Sequence, residues 1–372
     1  MIYFDNAATT FPKPTSVIKE VNRCLKKYCG NPGRSTHTIS LKASEAVYTA
    51  RELVSNFFHT TSPERVVFTY NATYALNLAI KSYITHDCHV LTSDYEHNAV
   101  IRPLEKLKAT HNIKYSTVPS ESFNLQGIIP YLKSNTIGII ASIASNVAGF
   151  TISLDELSKI AKSYNLFLII DASQAAGHVD INLTKTPCDV LCAPAHKAML
   201  GIQGCGFAIF ADGNRKDSFI EGGSGSDSIN KFMPSLLPEG YEAGTLATPS
   251  IVSLGCGIRF INDIGLENMQ FKLNSLVAEA YNILSSFSEI EIYPIGNSLL
   301  SFNYDDIPSD VISYELDRMG ICTRAGLHCA PLAHEKLGTL SKGTVRLSFS
   351  HFNKKCELVK LYKALKFIKK AY

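Results

Sequence analysis

Apolar runs at residues 65–69, 89–92, 136–143, 166–170, 190–193 and 206–210 are mostly separated by segments with helical spacing, at 72–83, 101–110 and 153–164. Short, near-continuous apolar runs that alternate with helices predict strands buried on both faces, and so a mainly parallel sheet covered by helices. Ahead of this pattern, residues 15–28 and 41–58 also have helical spacing. The second of these starts behind Ser40 as its N-cap, and the turn-rich stretch C-G-N-P-G-R-S-T-H lies between them. Residues 222–244 carry glycines and prolines without periodicity and are expected to form a flexible surface loop. A long helix is expected from about residue 251. From residue 282 the pattern changes to strands at 299–304 and 344–349 with helices at 309–319 and 355–371, the mark of a compact α+β unit. The fold class that follows is α/β with a second, smaller domain.

In such sheets ligands collect at the carboxyl ends of the strands, and the residues after each run are strongly polar here. Asn71-Ala72-Thr73 opens a helix whose free N–H groups and dipole suit a phosphate, although the same residues make an ordinary N-cap. Asp94-Tyr95-Glu96-His97-Asn98 follows the second run and Ser145-Asn146-Val147-Ala148-Gly149 the third. Asp171-Ala172-Ser173-Gln174 follows the fourth, where an acid also serves simply to end a strand in a turn. After the fifth, the chain reads A-P-A-H-K-A-M-L-G-I-Q-G-C-G, which puts His196 and Lys197 on a glycine-loosened loop. A lysine there can reach an aldehyde and form a Schiff base, or it can be one more solvated surface charge. Taken together, a helix N-terminus, an acid, a histidine, two amides and a lysine fit pyridoxal phosphate.

The second unit contains C-T-R-A-G-L-H-C-A-P-L-A at residues 322–333. Cys329, with His328 beside it and Arg324 nearby, is placed to be a thiolate, since positive neighbours lower a thiol pKa; the other reading is a buried small hydrophobe. Arg346 interrupts the apolar run G-T-V-R-L-S-F, either as a bidentate clamp for a carboxylate or as half of a structural ion pair.

Composition adds mainly exclusions. The 372 residues carry a net charge of only +3 with both signs scattered, so no basic field points to nucleic acid or to an acidic membrane surface. No stretch approaches eighteen uninterrupted apolar residues and the start of the chain has no leader pattern, so a soluble, cytoplasmic protein is expected. The ten cysteines form no C-x-x-C pair and have no histidines at zinc spacing; no metal site is expected, and most are read as reduced core residues.

The motifs D-N-A-A-T, N-A-T, E-H-N-A, S-N-V-x-G, D-A-S-Q, H-K with G-x-Q-G, E-A-G-T and R-x-G-x-H-C-A follow one another along almost the whole chain. In this combination and order the chain resembles the cysteine desulfurases of the class V aminotransferase group, within the fold-type I pyridoxal phosphate enzymes. Its R-x-G-x-H-C-A loop is similar to the group II, Suf-type and selenocysteine-lyase-like branch. The resemblance implies a large cofactor domain (15–260) built on a mainly parallel seven-stranded sheet between helices. It also implies a small α+β domain (261–372) carrying the cysteine loop, and an N-terminal segment (1–14) packed on that small domain. It implies that Lys197 holds the cofactor and later moves the substrate proton, that Asp171 pairs with the pyridine nitrogen, and that His97 stacks on the ring and shuttles a proton. Gln174 would bond the phenolic oxygen and Asn146 would lie near ring and substrate. Ala72, Thr73 and His196 would bind the phosphate, joined by Thr245 from the other subunit of a homodimer. Arg346, with Arg324 near it, would grip the substrate carboxylate, and Cys329 would take the sulfur of L-cysteine as a persulfide for a sulfur-acceptor protein.

Three departures from the family pattern fall in the phosphate cup. Pro194 stands where a serine or threonine is usual, three residues before the lysine, and offers neither a hydroxyl nor an N–H. Thr245-Leu246-Ala247 lacks the usual asparagine, and Gly201-Ile202-Gln203-Gly204 replaces G-P-x-G, so a modest cofactor affinity is expected. The rival readings are a selenocysteine lyase using the same residues, another class V aminotransferase or carbon–sulfur lyase in which Cys329 is dispensable, and a catalytically weak binding partner in sulfur trafficking.

Overall fold

The computed structural model describes residues 1–33, 35–60, 62–213, 220–225 and 229–371. The chain runs β1 (Ile2–Tyr3), α1 (Thr15–Lys27), α2 (Thr38–Phe57), β2 (Val66–Thr69), α3 (Ala72–Tyr83), β3 (His89–Ser93), α4 (Asn98–His111), β4 (Lys114–Val118), β5 (Thr136–Ser142), α5 (Leu154–Tyr164), β6 (Phe167–Asp171), β7 (Val190–Pro194), β8 (Gly206–Phe210) and α6 (Thr248–Ile264). Strands β2 to β8 form one seven-stranded sheet in the order β2-β8-β7-β6-β5-β3-β4. Only β8 is reversed, antiparallel to both β2 and β7. Successive strand residues face opposite sides, and here both sides are buried. Leu168, Ile170, Leu191 and Ala193 join residues of α2, α5 and α6 in one core. Ile169, Val190 and Cys192 join residues of α3 and α4 in another. This two-sided burial is the physical reason the strands read as unbroken apolar runs.

A second unit follows with α7 (Leu266–Ser285), β9 (Ile290–Ile292), β10 (Leu299–Tyr304), α8 (Ser309–Arg318), β11 (Ile321–Cys322), β12 (Arg324–Gly326), α9 (Pro331–Leu337), β13 (Thr344–Ser348) and α10 (Lys355–Ala371). Its four-stranded antiparallel sheet has the order β12-β13-β10-β9. Residues of α7, α8 and α10 close over it in a core of its own, which also takes in Ile2 and Phe4. The first strand pairs with β11 in parallel, Ile2 against Ile321 and Tyr3 against Cys322. Residues 260 and 261, where the sequence reading divides the chain, lie inside α6; the chain turns at Gly265, with φ 85°.

Two local expectations need correction, and one strand was not read. Helix α2 begins at Thr38, because the ring of His37 and not the hydroxyl of Ser40 caps it, by accepting a hydrogen bond from the Ser40 N–H. The edge strand β4, K-Y-S-T-V, is half exposed and polar, so its sequence carries no apolar run. The segment 222–244, whose residues 226–228 lie outside the described part, does not stay at the surface throughout. Leu237, Tyr241 and Glu242 are buried, and Glu242 receives a bidentate pair of bonds from Arg51 at 2.8 and 2.9 Å as well as the Phe68 N–H at 2.7 Å. A fully paired buried carboxylate fastens this irregular segment to β2. Cys24, Cys88, Cys188, Cys192, Cys205 and Cys256 are buried free thiols. Among the described residues no helix is long and apolar enough to cross a membrane.

Candidate active site

The carboxyl ends of β2, β3, β5, β6 and β7 open into one cavity of about 230 Å³. Its walls include Ala72, Thr73, His97, Asn146, Asp171, Gln174, His196 and Lys197 from the large sheet's strand ends, and Arg324, Cys329 and Arg346 from the second unit. Thr245 is not among them. It is exposed and accepts a hydrogen bond from Asn31 Nδ2 at 3.3 Å, outside this cavity.

Each strand end delivers its residue for a local reason. After β2, Asn71 caps α3 by accepting from the Tyr74 N–H, which leaves the N–H groups of the first turn directed outward. Gly206 makes this possible: a Cβ there would lie 2.4 Å from the Asn71 carbonyl carbon and 2.7 Å from the Ala72 nitrogen. Gly206→Ala must therefore displace the α3 N-terminus. We expect at least a tenfold weaker retention of pyridoxal phosphate, read by absorbance titration of the cofactor-free protein.

His97 caps α4 through its Nδ1, which accepts from the Ala99 N–H at 3.0 Å, so the ring proton sits on Nε2. Burial above all, opposed by Asp171 and aided by Lys197, Arg324 and Arg102, brings its pKa down to about 4. The ring is thus neutral at physiological pH. Directly before it, Glu96 is fully buried and accepts from the Ser93 hydroxyl, the Ser142 N–H at 2.7 Å and the Ser142 hydroxyl at 2.6 Å. Ser142 stands opposite Asp171 in the sheet register, so Glu96 ties the His97 turn to the strand pair that carries Asp171.

Burial raises the Glu96 pKa to about 7, against the hydrogen bonds of Ser142 and Ser93, with Asp171 adding to the rise. Between pH 4.5, the ordinary carboxyl value, and 7, the folded protein holds a proton that the unfolded chain has released, so stability falls as pH rises through that window. The loss approaches roughly 3 kcal/mol. In Glu96→Gln, denaturant titrations of the cofactor-free protein should show this part of the pH dependence flattened.

Asp171 closes β6, is 4 % exposed, and accepts the Ser173 N–H at 2.8 Å. Gln174 is held by a bond from its Nε2 to the Ala7 carbonyl at 3.1 Å. On the loop after β7, the His196 carbonyl accepts from Thr10 N, both threonine hydroxyls of Thr9 and Thr10, and Lys13 Nζ at 2.7 Å. The peptide before Lys197 is thereby pinned by the N-terminal segment. Burial lowers the Lys197 amine to about 8 against the attraction of Asp171, with Arg346 and Arg324 pushing the same way as burial. An amine with that pKa is available as a nucleophile near neutral pH.

The second unit contributes two arginines and a thiol. Arg324 and Arg346 are directly opposite one another across β12 and β13. Like charges facing across a strand pair repel. Among the described residues the one carboxylate that bonds either is Asp5, 2.7 Å from Arg346 Nη2; Arg346 Nη1 is on the Asn146 carbonyl at 2.8 Å, and its buried Nε has no partner there. The open donor and the surplus positive charge suit a substrate carboxylate. Cys329 Sγ lies 3.8 Å from Arg324 Nη2. His328 departs from expectation: it is buried, and desolvation together with Arg346, His334 and Arg324 holds its pKa well below the ordinary value. The ring is neutral and adds no positive charge beside the thiol, which is left with Arg324 in contact and Lys197 acting on it electrostatically.

These donors fit pyridoxal phosphate. His196, which shares the cavity wall with Ala72 and Thr73 at the α3 N-terminus, has a buried Nδ1 with no partner among the described residues, a free polar atom beside an anion site. Pro194 lines the same wall without a hydroxyl, which leaves the cup one donor short. A buried acid for a ring nitrogen, a low-pKa amine for an aldehyde and a neutral imidazole complete the set. Asp5, Glu96, Asn98 and Lys336, all tied into this site, were given no role from the sequence, although Asp5, Glu96 and Asn98 each stand in a motif that was singled out.

A family model for class-V aminotransferases matches residues 2–361. A probable cysteine desulfurase of Borreliella burgdorferi is 30% identical over 382 aligned residues, covering 96% of this chain and 89% of that protein. Another, from Halalkalibacterium halodurans, is 27% identical and covers 98% and 92%. Among solved structures, the apo cysteine desulfurase of Thermococcus onnurineus NA1 superposes with a TM-score of 0.91 at 27% identity, covering all of this chain and 95% of the other. The chain belongs to the class-V aminotransferase family, and within it to the cysteine desulfurases, which depend on pyridoxal 5′-phosphate.

Proposed function

We propose that this protein is a pyridoxal phosphate-dependent cysteine desulfurase that transfers the sulfur of L-cysteine to Cys329 and releases L-alanine. One observation carries the reading: Cys329, delivered by the second unit, lines the same cavity as Lys197 and Asp171. When bound, the cofactor supplies an electron sink for the negative charge that develops on the substrate. In this reading Lys197 holds the cofactor and moves the substrate α-proton, Asp171 keeps the ring nitrogen protonated, and the neutral His97 stacks on the ring and relays protons. Gln174 and Asn146 orient ring and substrate. Ala72, Thr73 and His196 take the phosphate, completed by Thr245 of the partner subunit in a homodimer, where its exposure outside its own cavity leaves it available. Arg346 and Arg324 take the substrate carboxylate.

The Cys329 thiolate attacks the substrate sulfur. An S–S bond forms as the C–S bond breaks, the pair of electrons stays with the carbon, and a proton completes the methyl group of alanine. No external oxidant or reductant is required for this step. A cytoplasmic acceptor protein then removes the terminal sulfur. The test is release of alanine and sulfide from L-cysteine with a reductant present, with L-selenocysteine in parallel. Equal yields of the two products from cysteine support the reading. A strong preference for selenocysteine replaces it with a lyase, and cofactor-loaded protein that makes alanine from neither overturns it.

A further inference from the structure

We propose that Lys336 is a positioning residue for Cys329, acting as a charged latch between the second unit and the turn that carries His97; the inference rests on the reading of Cys329 as the sulfur-accepting thiol. His328 and Cys329 both have left-handed backbones, with φ of 50° and 59°. Two adjacent non-glycine residues hold such a conformation only where their surroundings impose it. The imposing contacts come from the large sheet's side of the cavity. Asn146 Nδ2 donates to the His328 carbonyl at 2.7 Å, and the Asn98 N–H donates to the Cys329 carbonyl at 2.8 Å. Asn98 is the residue after His97, so the backbone of the nucleophile is bonded to the backbone of the ring-facing histidine.

These two bonds form only if α9, which starts at Pro331, is seated against the other unit. Ala330 and Ala333 are buried in the large domain's core and Leu337 packs partly against it, but apolar contacts are non-directional and fix the helix's rotation and its shift along the axis only loosely. Lys336 supplies the missing constraint. Its ammonium bonds Asp94, Ser120 Oγ at 2.9 Å and Glu121 Oε2 at 2.9 Å, and stands 4.9 Å from the centre of the Phe150 ring. Asp94 lies in the His97 turn and also accepts the Ser120 N–H, so it is itself held in place. Phe150 in turn stacks on Tyr95 of that turn. The latch and the Asn98–Cys329 bond thus grip the same turn from both ends, and the distance from the thiol to His97 is set by both.

The test compares wild type with Lys336→Met, which keeps the stem against Phe150 and removes the charge, and with Lys336→Arg. Two quantities are read on cofactor-loaded protein: hydrogen exchange of the Asn98 amide and of residues 327–330, with α10 as internal reference, and the single-turnover rate of persulfide formation on Cys329 from L-cysteine by peptide mass. In Lys336→Met the exchange should quicken at least tenfold and the persulfide rate fall at least tenfold, while cofactor absorbance, KM and exchange in α10 stay within twofold of wild type. Lys336→Arg should recover most of both. Unchanged exchange overturns the latch. Quickened exchange with an unchanged persulfide rate, or a loss of rate matched by loss of cofactor and by faster exchange in α10, overturns the positioning role. A wild type that makes no persulfide defeats the functional reading, and exchange alone then decides the latch.

Discussion

Cys329→Ala should lower alanine release from L-cysteine at least a hundredfold while leaving the cofactor bound. The side chain is exposed, belongs to neither core and has one hydrogen bond among the described residues, to Arg324 Nη2 at 3.8 Å, so truncating it removes no packing from either core. The left-handed turn at this position is imposed by the carbonyl bonds of Asn146 and Asn98, which alanine retains. What is lost is the nucleophile itself, and with it the only route by which sulfur leaves in this mechanism. The substrate-induced change in cofactor absorbance should persist, because Lys197, Asp171 and the two arginines are untouched. If the variant released alanine at the wild-type rate, sulfur would depart without Cys329, and the protein would be a carbon–sulfur lyase built on the same fold.

Lys197→Ala should abolish turnover altogether and prevent borohydride from fixing the cofactor to the chain, which in wild type should label the peptide containing Lys197. A pH profile gives a second, independent reading of the same group. With the amine lowered to about 8, roughly one molecule in ten is neutral at pH 7, against about one in three thousand for an ordinary lysine. Cofactor uptake by the cofactor-free protein should therefore rise about tenfold per unit below pH 8 and level off above it. A rate that kept climbing beyond pH 9 would mean that the amine is not held down by burial. Burial is the first cause of the low value, so flooding the cavity with water should push the plateau upward.

How much of this was legible in the sequence depended on whether the physical cause was local. Strands β2, β3 and β5 to β8 showed themselves because they are buried almost throughout, and the site residues followed from where the parallel strands among them stop. The edge strand β4 did not, since one side meets solvent and its lysine, serine and threonines are what an edge requires. Strands β11 and β12, of two and three residues, are too short to have a period. Within the site, Lys197, Asp171 and Cys329 could be read because their neighbours carry the signal. Asp5 with Arg346 and Lys336 with Asp94 could not, as 341 and 242 residues separate the partners and nothing near either one announces the other. The charge expected on His328 failed for a related reason: the sequence shows that a histidine adjoins the thiol, but only the packing shows that this histidine is buried against Arg346.

The placement of the first strand bears on how the protein is made. Residues 2–5 are synthesised long before their partners, for they pair with Ile321, Cys322 and Ser348, and Asp5 meets its arginine across 341 positions of sequence. At ordinary elongation rates this segment must wait on the order of half a minute for its partners to be synthesised. The seven-stranded sheet can assemble in that interval, but the peptide beside Lys197, which is pinned by Thr9, Thr10 and Lys13, cannot take its final form until the opening segment has docked on β11 and β13. Competence to hold the cofactor should therefore appear abruptly, with the last strand, and not accumulate as the large domain grows.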